Sequence, residues 1–212
     1  MGTGNSLGTM SEVQLLSLMV AIAEGDESGV RKALREAPEL PAAAIEHDAT
    51  RSDPAPPVLQ QLSCYFYKGD TALHVAAAAH RLAIASLLLD LGARNRRGTT
   101  SLHHAAAGAP ESRRYDPEAQ VETIRVLLAA GADPEAVNKD GATPLHRAIR
   151  SRCSLAVATL LEAGVSPVRP NGNGSSPLHL ATHATGRGGS GAPAAKREQA
   201  EIIRLLTDSA SR

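Results

Sequence analysis

The chain has 212 residues, with 22 basic and 22 acidic side chains and therefore no formal net charge at neutral pH. This balance argues against a general attraction to nucleic acid or to membrane surfaces, so any charged binding site has to be local. Hydrophobic residues make up 42% of the chain but aromatic residues only 2%. That ratio predicts thin, repetitive helix packing rather than a core built on large aromatic side chains.

The cysteines and the longer apolar runs bear on location. Cys64 and Cys153 have no CxxC spacing, which favours two reduced thiols in a cytoplasmic protein over a disulfide. No run reaches the roughly 18 apolar residues of a membrane helix, so we expect no membrane segment. Arginine outnumbers lysine 18 to 4, a bias typical of GC-rich genomes that favours a bacterial source.

The N-terminal part of the chain predicts a leader, a helix pair and a loop. We expect residues 1–10 to be a flexible leader. Helical patterns over 13–24 and 28–36 flank Gly25 and form an irregular first unit over about 11–37. The stretch 38–59 is rich in proline and has no clear period, which predicts an elongated loop.

A motif then recurs four times, as GDTALHVAA (69–77), GTTSLHHAA (98–106), GATPLHRAI (141–149) and GSSPLHLAT (174–182). Thr or Ser stands where a helix N-cap hydroxyl belongs, and Pro can occupy the first helical position. Each motif is followed by an apolar stretch with helical spacing. Three of these stretches reach a glycine that predicts a left-handed C-cap, at Gly92, Gly131 and Gly164.

These segments resemble the ankyrin repeat, whose signature is G-x-TPLHxAA followed by a helix ending in LLxxGA. The resemblance covers roughly residues 11–209 and implies one all-α domain, a solenoid of stacked helix-turn-helix units with hairpin fingers. It gives about five repeats, at 11–37, 69–93, 98–132, 141–165 and 174–209. It also implies a structural role for the motif histidines, which would hydrogen-bond within and between repeats: His74, His103, His146 and His179.

The spacing of the motif histidines is irregular, at 29, 43 and 33 residues, against a family period of about 33. The long interval places an insert at 108–119, between the two helices of the third repeat. A similar insert, 183–198, lies at the same place in the fifth repeat. The short interval predicts a finger four residues shorter than the others, at Arg94–Arg97. The two inserts could share one accessory surface, or they could be cheaply tolerated loop extensions.

Motifs of catalysis and metal binding give no consistent site. There is no HExxH, and His103 and His104 point roughly 100° apart on a helix. Residues 186–191 fit GxGxxG, but they follow a helix and precede Ala192 and Pro193, which favours a flexible insert over a dinucleotide site. A weaker interpretation lets this loop and Arg187 hold an anion. We therefore expect no catalytic residue, metal or cofactor.

The resemblance also implies that a partner docks on the concave face, formed by finger tips and exposed positions of the first helices. This face predicts six basic residues against Asp70 and Asp140, and hence a protein partner with an acidic segment. Solubility alone would also explain such charges. The basic residues are Lys68, Arg96, Arg97, Lys139, Arg150 and Arg152. Tyr65 and Tyr67 would add aromatic contacts, and His183 extends the face into the last repeat.

Two alternatives remain open at this stage. The chain could bind a small molecule, or act as an unusual enzyme, in a pocket where the short finger meets the Tyr65–Tyr67 cluster. His104 and Cys153 would then be the nearest reactive groups, although both fit packed helix positions. A nucleic-acid site would need a broader basic field and a track of aromatics, and the sequence has neither.

Overall fold

A computed structural model of the chain describes residues 6–46, 67–88, 94–110, 115–183 and 193–211. Within these ranges the chain forms ten helices and no extended strand. In chain order they are α1 (Ser6–Glu24), α2 (Glu27–Glu36), α3 (Ala72–Ala78), α4 (Leu82–Leu87), α5 (Ser101–Ala105), α6 (Pro117–Ala129), α7 (Pro144–Arg150), α8 (Ser154–Glu162), α9 (Pro177–His183) and α10 (Pro193–Ala210).

The helices pair as consecutive antiparallel units, and in the described part of the chain each unit packs mainly on its neighbours. First helices contact first helices, as in α3 on α5, and second helices contact second helices, as in α6 on α8. The motif leucines Leu73, Leu102 and Leu145 are fully buried. The alanines that follow them keep the helices close, so the core is a continuous band of Leu, Ala, Ile and Val side chains.

The recurring motif places each first helix by a capping box. Thr71, Thr100 and Thr143 precede α3, α5 and α7 in extended conformation. In each box the threonine N–H donates to Nδ1 of the histidine three residues on, at 3.1 to 3.3 Å. The second helices α6 and α8 are followed by Gly131 (φ +96°) and Gly164 (φ +84°). Both are the left-handed C-caps expected from sequence, whereas Gly92 lies outside the described residues.

The fingers are linked to each other by backbone hydrogen bonds. The Arg96 N–H donates to the Lys68 carbonyl, and the Lys139 N–H donates to the Arg97 carbonyl at 2.9 Å. The Gly172 N–H donates to the Asp140 carbonyl at 2.9 Å. Each finger therefore takes its position from the preceding one, which fixes the face that the finger tips form with the first helices.

Several predicted boundaries differ from the structure. Helix α1 begins at Ser6, so the second half of the predicted leader is helical. The loop predicted at 38–59 is described only to residue 46, where Ala44 forms a bridge with Thr71. Helix α10 begins at Pro193 and buries Ala195, so residues 193–198 of the second predicted insert belong to a helix. Similarly, 117–119 of the first insert form the start of α6.

Two residues with positive φ link helix pairs at the helix–helix turns. His80 (φ 51°) and Arg152 (φ 58°) each stand six residues after a motif histidine. Nε2 of His80 lies 3.3 Å from the Ala105 carbonyl and 3.2 Å from the Ala107 carbonyl in the next unit. The left-handed turn therefore directs a side chain onto the following repeat.

Candidate functional site

Three of the four fingers are built on the same asparagine turn. Oδ1 of Asn95 accepts hydrogen bonds from the N–H groups two and four residues later, at 2.9 and 3.0 Å. Asn138 and Asn171 make the corresponding pairs. The sequence carries this signal as Asn-x-x-Gly, which recurs at 95–98, 138–141 and 171–174. This recurrence was a readable sequence signal for the finger turns that our prediction of the face missed.

The finger tips and the first helices bring most of the predicted basic residues to one face. Five of the six are exposed, namely Lys68, Arg96, Arg97, Lys139 and Arg150. Asp140 is also exposed, and its Oδ2 accepts a hydrogen bond from Arg97 at 2.9 Å. That bond raises the pKa of the Arg97 guanidinium above its ordinary value. We call the surface formed by Lys68, Arg96, Arg97, Lys139, Arg150 and Asp140 the basic groove.

Tyr67 lies at one end of the basic groove and is half-buried. The guanidinium carbons of Arg96 and Arg97 lie 5.8 and 5.4 Å from its ring centre. Cation–π contacts at these distances hold both arginines over the ring. Tyr65 lies outside the described residues. His183, also predicted as a contact residue, is exposed, and its ring stacks on His179 with a centroid distance of 4.4 Å.

Asp70 does not lie on the open face that the sequence predicts. Its side chain is fully buried, and Oδ2 accepts a hydrogen bond from the Tyr67 N–H at 2.6 Å. Oδ1 accepts one from Nδ2 of Asn95 at 3.0 Å and lies 3.3 Å from Nε2 of His104. Burial alone would raise the pKa of Asp70, but His104, His74 and the Tyr67 amide together lower it below 3.8. Asp70 therefore joins two repeats internally and cannot face a partner.

Arg152 is a second correction, because only 5% of it is exposed. Helix α7 ends at Arg150, and the positive φ of Arg152 turns its side chain inward. Nη1 donates to the Ala195 carbonyl at 3.1 Å and to Oε1 of Gln199 at 3.0 Å. The residue is thus a link between the fourth and fifth repeats rather than a groove residue.

We expect the Arg152→Ala variant to lose about 2–3 kcal/mol of unfolding free energy, because it leaves buried acceptors without a donor. The Arg150→Ala control removes an exposed arginine two residues away and should change this free energy by about 0.5 kcal/mol or less. Urea denaturation followed by circular dichroism measures both. Equal losses in the two variants would contradict the internal role of Arg152.

The motif histidines do not all make the same contacts. Nε2 of His74 lies 3.2 Å from the Thr99 carbonyl, and Nε2 of His103 lies 2.9 Å from the Ala142 carbonyl. Nε2 of His146 is buried and makes no hydrogen bond of regular geometry among the described residues, but the carbonyls of Arg169 and Ser175 lie close to its imidazole. His179 is exposed. The bond between repeats that the resemblance implies is therefore present at His74 and His103, and His146 makes only a weaker contact of this kind.

Burial lowers the pKa values of several of these imidazoles. The pKa of His103 falls to about 3, since burial outweighs the opposing contact with the Ala142 carbonyl. The pKa of His146 is also lowered by burial, against the carbonyls of Arg169 and Ser175. These histidines are neutral at pH 7 and serve the stack as uncharged hydrogen-bonding groups.

The two residues considered as reactive groups are both buried, with 1% exposure each. Burial raises the pKa of the Cys153 thiol to about 11, and its Sγ lies 3.6 Å from the Ser151 carbonyl oxygen. His104 faces Asp70. The thiol of Cys153 is therefore protonated at pH 7 and enclosed, which is the setting of an inert thiol.

A cavity of about 240 Å³ opens on the basic groove between the fingers of the third, fourth and fifth repeats. Its lining does not include Tyr67, His104 or Cys153. Its lining is mainly polar, with Thr99, His103, Asn138, Asp140, Thr143, His146, Arg147, Arg150, Asn171 and Asn173 contributing. Among the described side chains, no three His, Cys, Asp or Glu groups converge in a way that would hold a metal ion.

The family model for ankyrin repeats, in three copies, matches residues 18–115 and 117–190. The chain belongs to the ankyrin-repeat family. Ankyrin repeats are generally protein–protein interaction modules, so this chain carries a scaffold of that class. The match does not support the count of five repeats made from the sequence, although five consecutive helix pairs are present in the described residues.

Curated relatives of this ankyrin-repeat chain come from plants and mammals. It is 38% identical over 133 residues to a rice zinc finger CCCH domain-containing protein 24, covering 60% of this chain and 15% of that protein. It is 41% identical over 90 residues to mouse ankyrin repeat and SOCS box protein 16, covering 39% and 19%. The human protein of that name is 41% identical over 91 residues, covering 40% and 19%.

Two consequences follow from these matches. The chain spans less than a fifth of the length of each relative, so similarity concerns the repeats alone. The relatives are eukaryotic, so they do not support the bacterial source inferred from arginine content.

None of the described helices combines the length and apolarity needed to cross a membrane.

Proposed function

We propose that the basic groove binds an acidic segment of another protein. The observation that carries the proposal is a local charge excess in a chain with no net charge. Among the predicted face residues that the structure describes, five exposed basic side chains stand against one exposed acid, Asp140, which Arg97 already pairs. An acidic segment that replaces water along this face would gain several charge-assisted contacts.

The basic residues follow one another along successive repeats, which defines the course of a bound segment across the face. Tyr67, Lys68, Arg96 and Arg97 belong to neighbouring fingers, Lys139 to the next finger, and Arg150 to the end of α7. Because successive fingers are hydrogen-bonded together, the backbone positions that carry these charges are held at fixed spacing without a ligand. Such preorganisation reduces the entropy lost on binding. The proposal places the module in the cytoplasm, in keeping with the free thiol of Cys153.

The test uses fluorescein-labelled hexaglutamate as an acidic segment of known chemistry. We expect the Arg96→Glu, Arg97→Glu, Arg150→Glu variant to bind it on the order of tenfold more weakly, or not at all. Raising the salt concentration from about 50 to about 300 mM should weaken the wild type and leave the variant little changed. Fluorescence anisotropy gives the dissociation constants, and circular dichroism confirms that helix content is retained.

A matched control carries the same change in net charge elsewhere. The Arg31→Glu, Arg125→Glu, Arg204→Glu variant reverses three exposed arginines on α2, α6 and α10, all paired within their own helices. It should bind hexaglutamate within about a few-fold of the wild type, since net charge acts only at long range. Equal losses in both variants would attribute binding to net charge and would sink the proposed groove. Hexaglutamine should not bind.

The small-molecule alternative gains no support from the cavity. Pockets for small ligands enclose about 300–1,000 Å³, whereas this cavity has about 240 Å³. It is lined mainly by polar side chains rather than by the apolar and aromatic ones typical of such sites. Its size suits one side chain of a bound segment better than a whole ligand.

A further inference from the structure

The second and third repeats contain a bound carboxylate that belongs to the chain itself. Asp70 directly follows the finger glycine Gly69. Its Oδ1 accepts a hydrogen bond of 3.0 Å from Nδ2 of Asn95, which belongs to the next finger. The same Oδ1 lies 3.3 Å from Nε2 of His104, the residue after the motif histidine of the next repeat. One amide donor and one basic side chain thus hold a carboxylate between two repeats.

One repeat later the same three positions carry a different set of side chains. Thr99 replaces the aspartate, Asn138 corresponds to Asn95, and Arg147 corresponds to His104. Oδ1 of Asn138 is engaged by the N–H groups of Asp140 and Ala142, just as Oδ1 of Asn95 is engaged in its own finger. The side-chain NH₂ group of Asn138 therefore corresponds to the group that binds Asp70.

These three residues line the cavity in the basic groove. At this position the second repeat has the carboxylate of Asp70, whereas the third has the shorter hydroxyl side chain of Thr99. The cavity takes up the space that a carboxylate would fill. The buried imidazole of His146 also lines this space, with the carbonyls of Arg169 and Ser175 as its nearest acceptors. Arg150 lies on the same wall and, in the part of the chain that the structure describes, makes no ion pair.

We propose that this cavity receives the side-chain carboxylate of a Glu or Asp residue of the bound segment, in the position that Asp70 occupies one repeat earlier. The inference rests on the proposed function and deepens it. A planar carboxylate can accept from the Asn138 amide and from a guanidinium at once. Asp140 on the cavity wall disfavours a phosphate dianion, because its carboxylate would repel the second charge.

The test gives the third repeat its own carboxylate. In Thr99→Asp the new side chain occupies the place that Asp70 takes in the second repeat, so we expect hexaglutamate to bind at least fivefold more weakly. The melting temperature should stay equal to the wild type or rise, because the Asn138 amide and the Arg147 guanidinium then face a carboxylate of the chain itself. The comparison variant Thr99→Asn fills the same space without the charge, so it should also weaken binding, but less than Thr99→Asp, which adds charge repulsion.

A second measurement needs no variant. In ¹H–¹⁵N spectra of the wild type, hexaglutamate should shift the side-chain NH₂ resonances of Asn138, while those of Asn95, already bound to Asp70, stay in place. Inorganic phosphate at equal charge should produce no comparable shift. Equal shifts at both asparagines, or a phosphate response as large as the peptide response, would overturn the inference.

The outcomes separate this inference from the proposed function. If the triple reversal of Arg96, Arg97 and Arg150 abolishes binding but Thr99→Asp binds normally, the groove is retained and the carboxylate pocket is wrong. If the wild type does not bind hexaglutamate, the proposed function fails and the pocket fails with it. Loss of binding in Thr99→Asp together with a lower melting temperature than Thr99→Asn would also count against the pocket, since the carboxylate would then lack its donors.

Discussion

Lowering the pH from 7 to 4 is expected to remove much of the stability of this protein, and His103 should contribute a large part of the loss. The unfolded chain takes up a proton on this imidazole near the ordinary pKa of 6.5, whereas the folded pKa is about 3. Between these values the unfolded state binds more protons, so stability falls by about 1.4 kcal/mol for each pH unit from this residue alone. The pKa values of His80 and His146 are lowered as well, in the same direction.

Urea denaturation at half-unit steps of pH measures this effect. We expect a free energy of unfolding that is level above about pH 7 and falls steadily below about pH 6.5. The His103→Gln variant should be less stable at pH 7, because Gln cannot reproduce both the bond to Thr100 and the bond to Ala142. Its stability should also depend less steeply on pH. A wild-type profile that stays flat down to pH 5 would refute the assignment of a neutral, buried His103.

The Asp70→Asn variant is expected to lose about 2–3 kcal/mol, because it removes a fully buried carboxylate that accepts hydrogen bonds from the Tyr67 amide and from Asn95 and faces His104. Asp140→Asn makes the same chemical change at an exposed aspartate that pairs with Arg97. It should cost about 1 kcal/mol or less. The comparison isolates burial, since charge and size change identically in the two variants.

Acid titration gives a further readout for Asp70. Its pKa is below the ordinary 3.8, so the stability it contributes is complete above that value and is lost as pH falls through the lower folded pKa. Asp70→Asn should therefore lack the part of the acid transition that lies below about pH 4. A double-mutant cycle with His104→Gln should show coupling above about 1 kcal/mol. Additive losses would mean that the two residues act independently.

The start of each first helix was predictable from sequence because its causes are local. Thr143 and His146 lie three residues apart and form a capping box that needs only their own helix. Gly131 and Gly164 end second helices for the same kind of reason, a backbone preference at one position. The fold follows from these local signals combined with repetition.

The placement of Asp70 and Arg152 was wrong because it depends on what neighbouring repeats contribute. Asp70, Thr99 and Ala142 stand at the same position of their repeats. For Asp70 the next repeat supplies an asparagine and a histidine as partners, Asn95 and His104, and this combination does not recur at the other two positions. Arg152 was extrapolated along a helix that ends two residues earlier. Neither the partner across the interface nor the left-handed turn can be read from a single motif.

The cavity in the basic groove ties ligand binding to the junction between the last two repeats. Its walls include Arg150 of the fourth repeat and Asn171 and Asn173 of the next finger. A segment seated between Arg150 and Asn171 would contact both sides of this junction. Separation of the two repeats would break those contacts and release the segment. Occupancy and the closed junction would then be thermodynamically linked, each favouring the other by the same factor.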